Sequence, residues 1–381
     1  MPAVYFDNAA TTKPLDISLE KFLEINNIYY ANPSSLHRMG FEAESAMNEA
    51  RAIIASSICA APGEIYFTSG GTESNNIAIL SAANKLARRG KHIICSAVEH
   101  PSVRETMLHL KDQGFELDEI PSPLGQFDIN EFEKKLRPDT ILVSLMYVNN
   151  ELGTIFPLEK IAEIIRKKKS IALFHIDAVQ AYLKIPLNVA TLSCNMMSLS
   201  AHKVHAPKGV GALYIKKGLS LKSPVFGGGQ ENSMRSGTQN VAGICAFSKS
   251  CDAQIGSIKE HSQYVSALKA HLLEGLEKID GVTINSPDNA LPHIVNFCVP
   301  GYLSEVMLHY FEEHNIYISN ASACSSKKKD VPVLFRAGFK KQIYESALRI
   351  SLSYQNTKEE INFFLKTLSN MKDVLVKKEK L

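Results

Sequence analysis

Met196-Met197-Ser198-Leu199-Ser200-Ala201-His202-Lys203 reads as a buried strand that runs out onto a polar turn and stops at a lysine. An apolar run this short, bounded by small polar residues, fits a strand covered on both faces. The same pattern recurs on either side of it. Ile65–Thr68 and residues 93–98, 141–148 and 171–176 precede it, and Gly211–Ile215 follows. Between the first two runs, Ile77, Leu80, Ala83, Leu86 and Ala87 fall on one helical face, with Lys85, Arg88 and Arg89 off it and Gly90 offered as a C-cap. Strands alternating with helices predict an α/β domain with a mostly parallel sheet, whose ligands lie beyond the carboxyl ends of the strands. After about residue 255 the pattern changes to a long helix over 257–279, short strands, a helix over 303–314 and a last helix opened by a Thr357/Glu360 capping box. This second pattern predicts a smaller α+β C-terminal domain.

Composition narrows the function classes. The 381 residues, 45% of them hydrophobic, are enough to bury a substantial core. A net charge of +3, from 42 basic and 39 acidic residues, gives no overall field that would recommend nucleic acid or a membrane surface. The seven cysteines, at 59, 95, 194, 245, 251, 298 and 324, are odd in number and scattered, with no Cys-x-x-Cys pair. That usage predicts reduced thiols in a cytoplasmic protein. The N-terminal stretch Met-Pro-Ala-Val-Tyr-Phe-Asp has no secretory pattern, and no apolar run approaches the roughly 18 residues of a membrane span.

Lys203 lies 26 residues beyond Asp177, which ends the preceding strand-like run. A lysine at the mouth of a parallel sheet with an aspartate on a neighbouring strand suits pyridoxal phosphate: the amine condenses with the aldehyde, and the carboxylate keeps the ring nitrogen protonated. Alone, such a lysine is more often a solvated surface group. Thr68-Ser69-Gly70-Gly71-Thr72-Glu73-Ser74-Asn75-Asn76 joins a strand to a helix, where glycines, hydroxyls and helix-terminal N–H groups hold a phosphate. It also reads as an ordinary βα turn, and it has neither a Walker lysine nor Gly-x-Gly-x-x-Gly spacing, so one phosphate fits it better than three. His175 and Asp177 share a strand face. With His100, His202, His205 and Cys324 they raise the question of a metal, but no ligand spacing supports one and none is expected. Arg235-Ser236-Gly237-Thr238-Gln239-Asn240, after Gly227-Gly228-Gly229, reads by itself as a polar loop. Cys324 sits in Ser319-Asn320-Ala321-Ser322-Ala323-Cys324-Ser325-Ser326-Lys327-Lys328-Lys329, small residues ending in three positive charges that favour a thiolate. The plainer alternative is an incidental surface thiol. Cys95 and Cys298 lie in apolar runs that keep a thiol inert.

Taken in order, these motifs resemble the cysteine desulfurases of the NifS/IscS type, within the fold-type I pyridoxal phosphate enzymes. The resemblance runs from Tyr5-Phe6-Asp7-Asn8-Ala9-Ala10-Thr11-Thr12 through Asn32-Pro33-Ser34-Ser35-Leu36-His37, Glu99-His100-Pro101, Val148-Asn149-Asn150-Glu151 and His175-Ile176-Asp177-Ala178-Val179-Gln180. It continues through Ser200-Ala201-His202-Lys203, Arg235-Ser236-Gly237-Thr238 and Ser322-Ala323-Cys324 to Ala347-Leu348-Arg349-Ile350-Ser351-Leu352. It implies an N-terminal arm over 1–14 packing with the small domain, a large cofactor-binding domain over 15–254, and a small domain over 255–381 carrying an active-site loop.

By the same resemblance Lys203 bears the cofactor, Asp177 pairs with its ring nitrogen, and His100 stacks on the ring and helps move protons. Asn149 and Gln180 contact the ring hydroxyl, while Gly71, Thr72, Ser200 and His202 hold the phosphate, with Thr238 supplied by the partner subunit of a homodimer. Arg349 grips the carboxylate of L-cysteine, and Cys324 takes its sulfur as a persulfide, releasing L-alanine. A sulfur-acceptor or iron–sulfur scaffold protein is the implied partner, serving cluster assembly, tRNA thiolation or both; no membrane and no direct nucleic acid are expected. The alternatives are a related enzyme such as a selenocysteine lyase or an aminotransferase, or a non-catalytic sulfur-transfer scaffold subunit. Two departures stand out. Ala206 replaces an expected glycine, and Lys327-Lys328-Lys329 with Val331-Pro332-Val333 replace a less basic segment, although the 24 residues between Cys324 and Arg349 still allow a long loop.

Overall fold

The computed structural model describes residues 3–320 and 332–377. Among these residues, seven strands form the large sheet: β1 (Ile65–Thr68), β2 (His92–Ser96), β3 (Glu116–Ile120), β4 (Thr140–Met146), β5 (Leu173–Asp177), β6 (Met196–Ser200) and β7 (Gly211–Ile215). They lie in the order β1-β7-β6-β5-β4-β2-β3, and only β7 runs against its neighbours. Successive side chains go to opposite faces. Ile93, Leu142 and Met196 pack with Ile77 and Ala82 of the helix Gly71–Leu86. Ile94, Val143 and Met197 pack on the other side with Ile25, Ile54 and Phe247 from the helices Asp16–Ile28, Arg38–Ser56 and Val241–Ile255. Burial on both faces is why the central strands read as unbroken apolar runs.

The chain from Thr283 onward contributes a second, antiparallel sheet, in the order Ser319–Asn320, Ala347–Ser351, Ile294–Cys298, Thr283–Ile284. The helices Ile258–Glu277, Ser304–Glu313 and Lys358–Val374 accompany it. Thr357 Oγ1 accepts from Glu360 N at 3.2 Å and Thr357 N donates to Glu360 Oε2 at 2.9 Å, the reciprocal cap that the sequence predicts. The N-terminal residues join this unit: Val4–Tyr5 pairs in parallel with Ile316–Tyr317, and the fully buried Phe6 meets Phe364 edge-on at 6.2 Å.

Two expectations need correction. β3 has no counterpart in the sequence reading, because an edge strand is not buried on both sides and Glu116, Asp118 and Glu119 hide its period. Nor is Gly90 a C-cap: the helix ends at Leu86 with Ala87 in right-handed geometry. Gly90 is required for packing instead, since a Cβ there would lie 2.1 Å from the Asp139 carbonyl oxygen.

The topology also places a site. Ser96, Met146, Asp177 and Ser200 are the last residues of four adjacent parallel strands, so the segments after them converge at one edge of the sheet.

Phe364 touches Phe6, Phe297 and Phe311, and joins the arm to the second core. Phe364→Ala is expected to cost about 3–5 kcal/mol, the usual range for emptying a buried aromatic site. Equilibrium denaturation measures it, and a loss below about 1 kcal/mol, within the range of ordinary surface changes, would refute this role.

Candidate active site

A cavity of about 420 Å³ opens off that edge of the sheet. Asp177 ends β5 inside it. Its Oδ2 accepts from Asn75 Nδ2 at 2.7 Å and its Oδ1 from Val179 N at 3.0 Å, so a donor fixes each oxygen in place. Asn75 lies one helical turn after Thr72, and its Nδ2 also donates to Ser102 Oγ at 2.8 Å. Ser102 Oγ in turn lies 2.8 Å from His100 Nδ1, which also accepts from Ser102 N at 3.1 Å.

This chain of bonds sets the tautomer of His100. A ring nitrogen that accepts the backbone N–H carries no proton, so the proton of the neutral imidazole sits on Nε2. Burial, with Lys203 nearby, lowers the His100 pKa, against the opposing pull of Asp177. The local fold explains the geometry: His100 is the N-cap of the helix Pro101–Asp112, and Pro101 at its first position marks the start.

Lys203 follows β6 on a short 3-10 turn, and its Nζ donates to Ala9 O at 2.6 Å and Ala10 O at 2.7 Å. The N-terminal arm therefore closes one wall of the cavity. His202 lies beside Thr11 and is held near pKa 4, chiefly by burial and then by Lys203, so it is neutral. The turn tolerates Ala206 because His205, not residue 206, takes the left-handed conformation, at φ 59°. Its backbone N donates to Thr12 Oγ1 at 2.7 Å, which holds it there.

Arg349 reaches the cavity from the second sheet. One terminal nitrogen donates to Glu151 Oε1 and Asn150 O, and the other to Asp7 Oδ1, each at 2.9 Å. A guanidinium pinned by carboxylates on two sides is oriented to meet a third, that of a substrate.

Of the residues singled out in the sequence, Gly71, Thr72, His100, Asp177, Gln180, Ser200, His202, Lys203 and Arg349 all line this one cavity. Asn149 does not. Its Oδ1 accepts from Glu151 N and Leu152 N and its Nδ2 donates to Val98 O, so its side chain closes a turn while Asn150 and Glu151 face the cavity. Thr238 is exposed and away from the cavity, although Arg235 near it is tied to Glu73. Cys324 and the Lys327–329 run lie outside the described residues. Asn75, Ser102, Asp7 and Glu151 were given no role from sequence; the helical spacing of Asn75 from Thr72 was the available signal. Among the described residues no group of His, Cys, Asp or Glu could hold a metal ion.

Known proteins can now be set beside this geometry. The aminotransferase class-V family matches residues 4–364. The chain belongs to that family. Within it, a protein named cysteine desulfurase IscS from Dictyoglomus turgidum is 40% identical over 97% of this chain and 94% of its own length. One of the same name from Methanosarcina thermophila is 38% identical over 96% and 91%. Among solved structures, a NifS-like protein superposes with a TM-score of 0.93 at 37% identity, covering 98% of this chain and all of its own. A structure described as SspA in complex with cysteine gives 0.82 at 32% identity, covering 93% and 100%.

The class-V family is pyridoxal-phosphate-dependent, and the residues here fit that group. Ser200 Oγ is buried with no hydrogen-bond partner among the described residues, at the N-terminal end of the helix Gly71–Leu86. A Cβ at Gly71 would lie 2.7 Å from Val179 Cγ2, so the backbone itself approaches the cavity. Gly71, Thr72, Ser200 and His202 would hold the phosphate, Asp177 the ring nitrogen and Lys203 the aldehyde carbon.

Glu99 lies just behind this site, fully buried, accepting from Ser96 Oγ and Met146 N. Burial raises its carboxyl from 4.5 to about 8, against the opposing effect of those two donors. The fold thus favours the protonated acid, and this contribution to stability is complete below the unfolded pKa and is lost as pH rises through the folded one. Glu99→Gln is expected to gain stability relative to wild type as pH rises from 4.5 to about 8. Urea denaturation at both ends of that range tests it; a difference independent of pH would show that the carboxyl is ionised throughout.

Proposed function

We propose that the chain is a pyridoxal-phosphate-dependent cysteine desulfurase, converting L-cysteine to L-alanine and passing the sulfur, as a persulfide on Cys324, to an acceptor protein. The observation that carries this reading is one cavity holding Lys203, the Asp177–Asn75 pair and the oriented Arg349 fork. Ser319 and Asn320 line it as well, and Cys324 follows Asn320 by four residues in sequence. The relatives named as cysteine desulfurases support the same assignment.

When bound, pyridoxal phosphate supplies an electron sink for bonds at the amino acid's Cα. Asp177, oriented by Asn75 Nδ2 and Val179 N, would keep the ring nitrogen protonated. Arg349 orients the substrate carboxylate. Lys203 moves the Cα proton, and neutral His100, with its proton on Nε2, stands ready to give or take another. The Cys324 thiolate attacks the substrate sulfur: an S–S bond forms while the Cβ–S bond breaks. The bonding pair stays with carbon, which takes up a proton to become the methyl group of alanine.

Five of the six described cysteines suit this role less. Cys95, Cys194, Cys245, Cys251 and Cys298 are buried, and burial raises the thiol pKa of each. A homodimer in which the exposed Thr238 serves the partner's phosphate site belongs to the same proposal. Among the described residues no helix is long and apolar enough to cross a membrane. A cytoplasmic location, and an acceptor in iron–sulfur assembly or tRNA thiolation, complete the proposal.

Borohydride reduction of the holoenzyme, followed by peptide mapping, should place the pyridoxyl label on Lys203. Cys324→Ala should keep the yellow absorption yet lose sulfide release by at least about 100-fold, the scale of removing a reacting group. After wild type is mixed with cysteine and alkylated without reductant, mass spectrometry should find the persulfide on the Cys324 peptide. Its appearance only on another cysteine would sink the assignment.

A further inference from the structure

Lys184 is a buried lysine that the reaction outlined above does not use. It is 9% exposed, and among the described residues the hydrogen bond of its side chain runs from Nζ to Gln180 Oε1, at 3.0 Å. It lines a small cavity behind Lys203 with His205, His261, His293 and Tyr354, and no carboxylate is among them. Burial first, then Lys203 and Arg349, pull its pKa down to about 7. An ammonium buried without a counter-charge is costly, and such groups persist where they do something the fold or the chemistry needs.

The partner shows what that is. A glutamine amide has a donor end and an acceptor end, and its neighbours decide which way it points. Gln180 Nε2 donates to Ala9 O at 2.9 Å, the same carbonyl that receives Lys203 Nζ. Ala9 O can only accept, and Lys184 Nζ donates to Gln180 Oε1, so one orientation of the amide satisfies both. Gln180 lines the main cavity, and this orientation turns its NH2 end toward Lys203.

We propose that Lys184 is a positioning residue, which fixes the Gln180 amide so that Gln180 donates, and does not accept, a hydrogen bond at the ring oxygen of the bound cofactor. The inference rests on the cofactor reading above, in which Gln180 meets that oxygen. With methionine at 184 the amide oxygen loses its donor and only Ala9 O still holds the NH2 end, so the turned-over orientation, with the amide oxygen against the ring oxygen, gains population. The ring oxygen is most negative when the nitrogen linking Lys203 to the cofactor has lost its proton, so that form is disfavoured. Loss of that donated hydrogen bond raises the pH at which the bound chromophore titrates.

His205 is held near pKa 4, His293 and His261 are lowered, Tyr354 is raised to about 12 and Lys184 itself lies near 7, so the chromophore midpoint is read above neutral pH. The test is the visible absorption of the holoenzyme, titrated from neutral to alkaline pH. Lys184→Met should raise the midpoint by about one pH unit, a tenfold change in the titrating equilibrium, and Lys184→Arg should leave it near wild type. An unmoved midpoint in Lys184→Met overturns the proposal. Should that variant not fold, Lys184→Ala is titrated in its place, and loss of the fold in both overturns it as well, because Lys184 would then be structural. Borohydride trapping of the wild type separates the two readings. Absence of label on Lys203 defeats the cofactor reading, whereas a labelled wild type with an unmoved Lys184→Met midpoint defeats only the role of Lys184.

Discussion

The guanidinium of Arg349 binds three parts of the chain that sequence keeps far apart: the arm through Asp7, the segment after β4 through Asn150 and Glu151, and its own strand in the second sheet. Arg349 and Glu151 are both buried, so neither charge is solvated enough to stand alone. Removing one partner of such a pair typically costs about 3–5 kcal/mol, because the other is left uncompensated. All three segments contribute residues to the cavity wall. Its shape therefore depends on a group that the proposed reaction also uses to hold substrate.

Around that anchor the protein separates charged groups from neutral ones. Burial keeps the imidazoles neutral: His175, between Ser144 Oγ and Ser198 Oγ, is pushed down to about 3, and His202 to about 4. The cations at the site are lysines and one arginine, and the anions are Asp7, Glu151 and Asp177. The Asn75 and Ser102 amide–hydroxyl relay adds no charge, yet it fixes both Asp177 and the tautomer of His100. Polar neutral groups thus set the orientation of the charged ones.

The chain's own pattern was enough to reveal the α/β class, the strands at Ile65–Thr68, Met196–Ser200 and Gly211–Ile215, and the capping box at Thr357. Strand bounds elsewhere moved by one or two residues, as for Thr140–Met146 against an expected 141–148, because apolar residues continue past the last ladder bond. β3 escaped notice, since half-exposed edge strands show no apolar period. Gly90 was misread because a glycine needed for a close carbonyl approach looks in sequence like one needed for a cap.

For the site, sequence by itself determined which residue types were present and in what order: a lysine after a buried strand, an aspartate at the end of another, a small-residue turn before a helix, an arginine in a late strand. Local spacing encodes such things, because a strand alternates faces and a helix repeats every few residues. Only the tertiary structure decided which of them meet. Strand order sets Asp177 opposite Ser198, two residues before Ser200, the arm returns to set Ala9 against Lys203 and Gln180, and Asn149 closes a turn while Asn150 and Glu151 face the cavity. These choices depend on contacts between residues up to several hundred positions apart, where no local period carries information. Burial and hydrogen-bond satisfaction of the whole fold settle them.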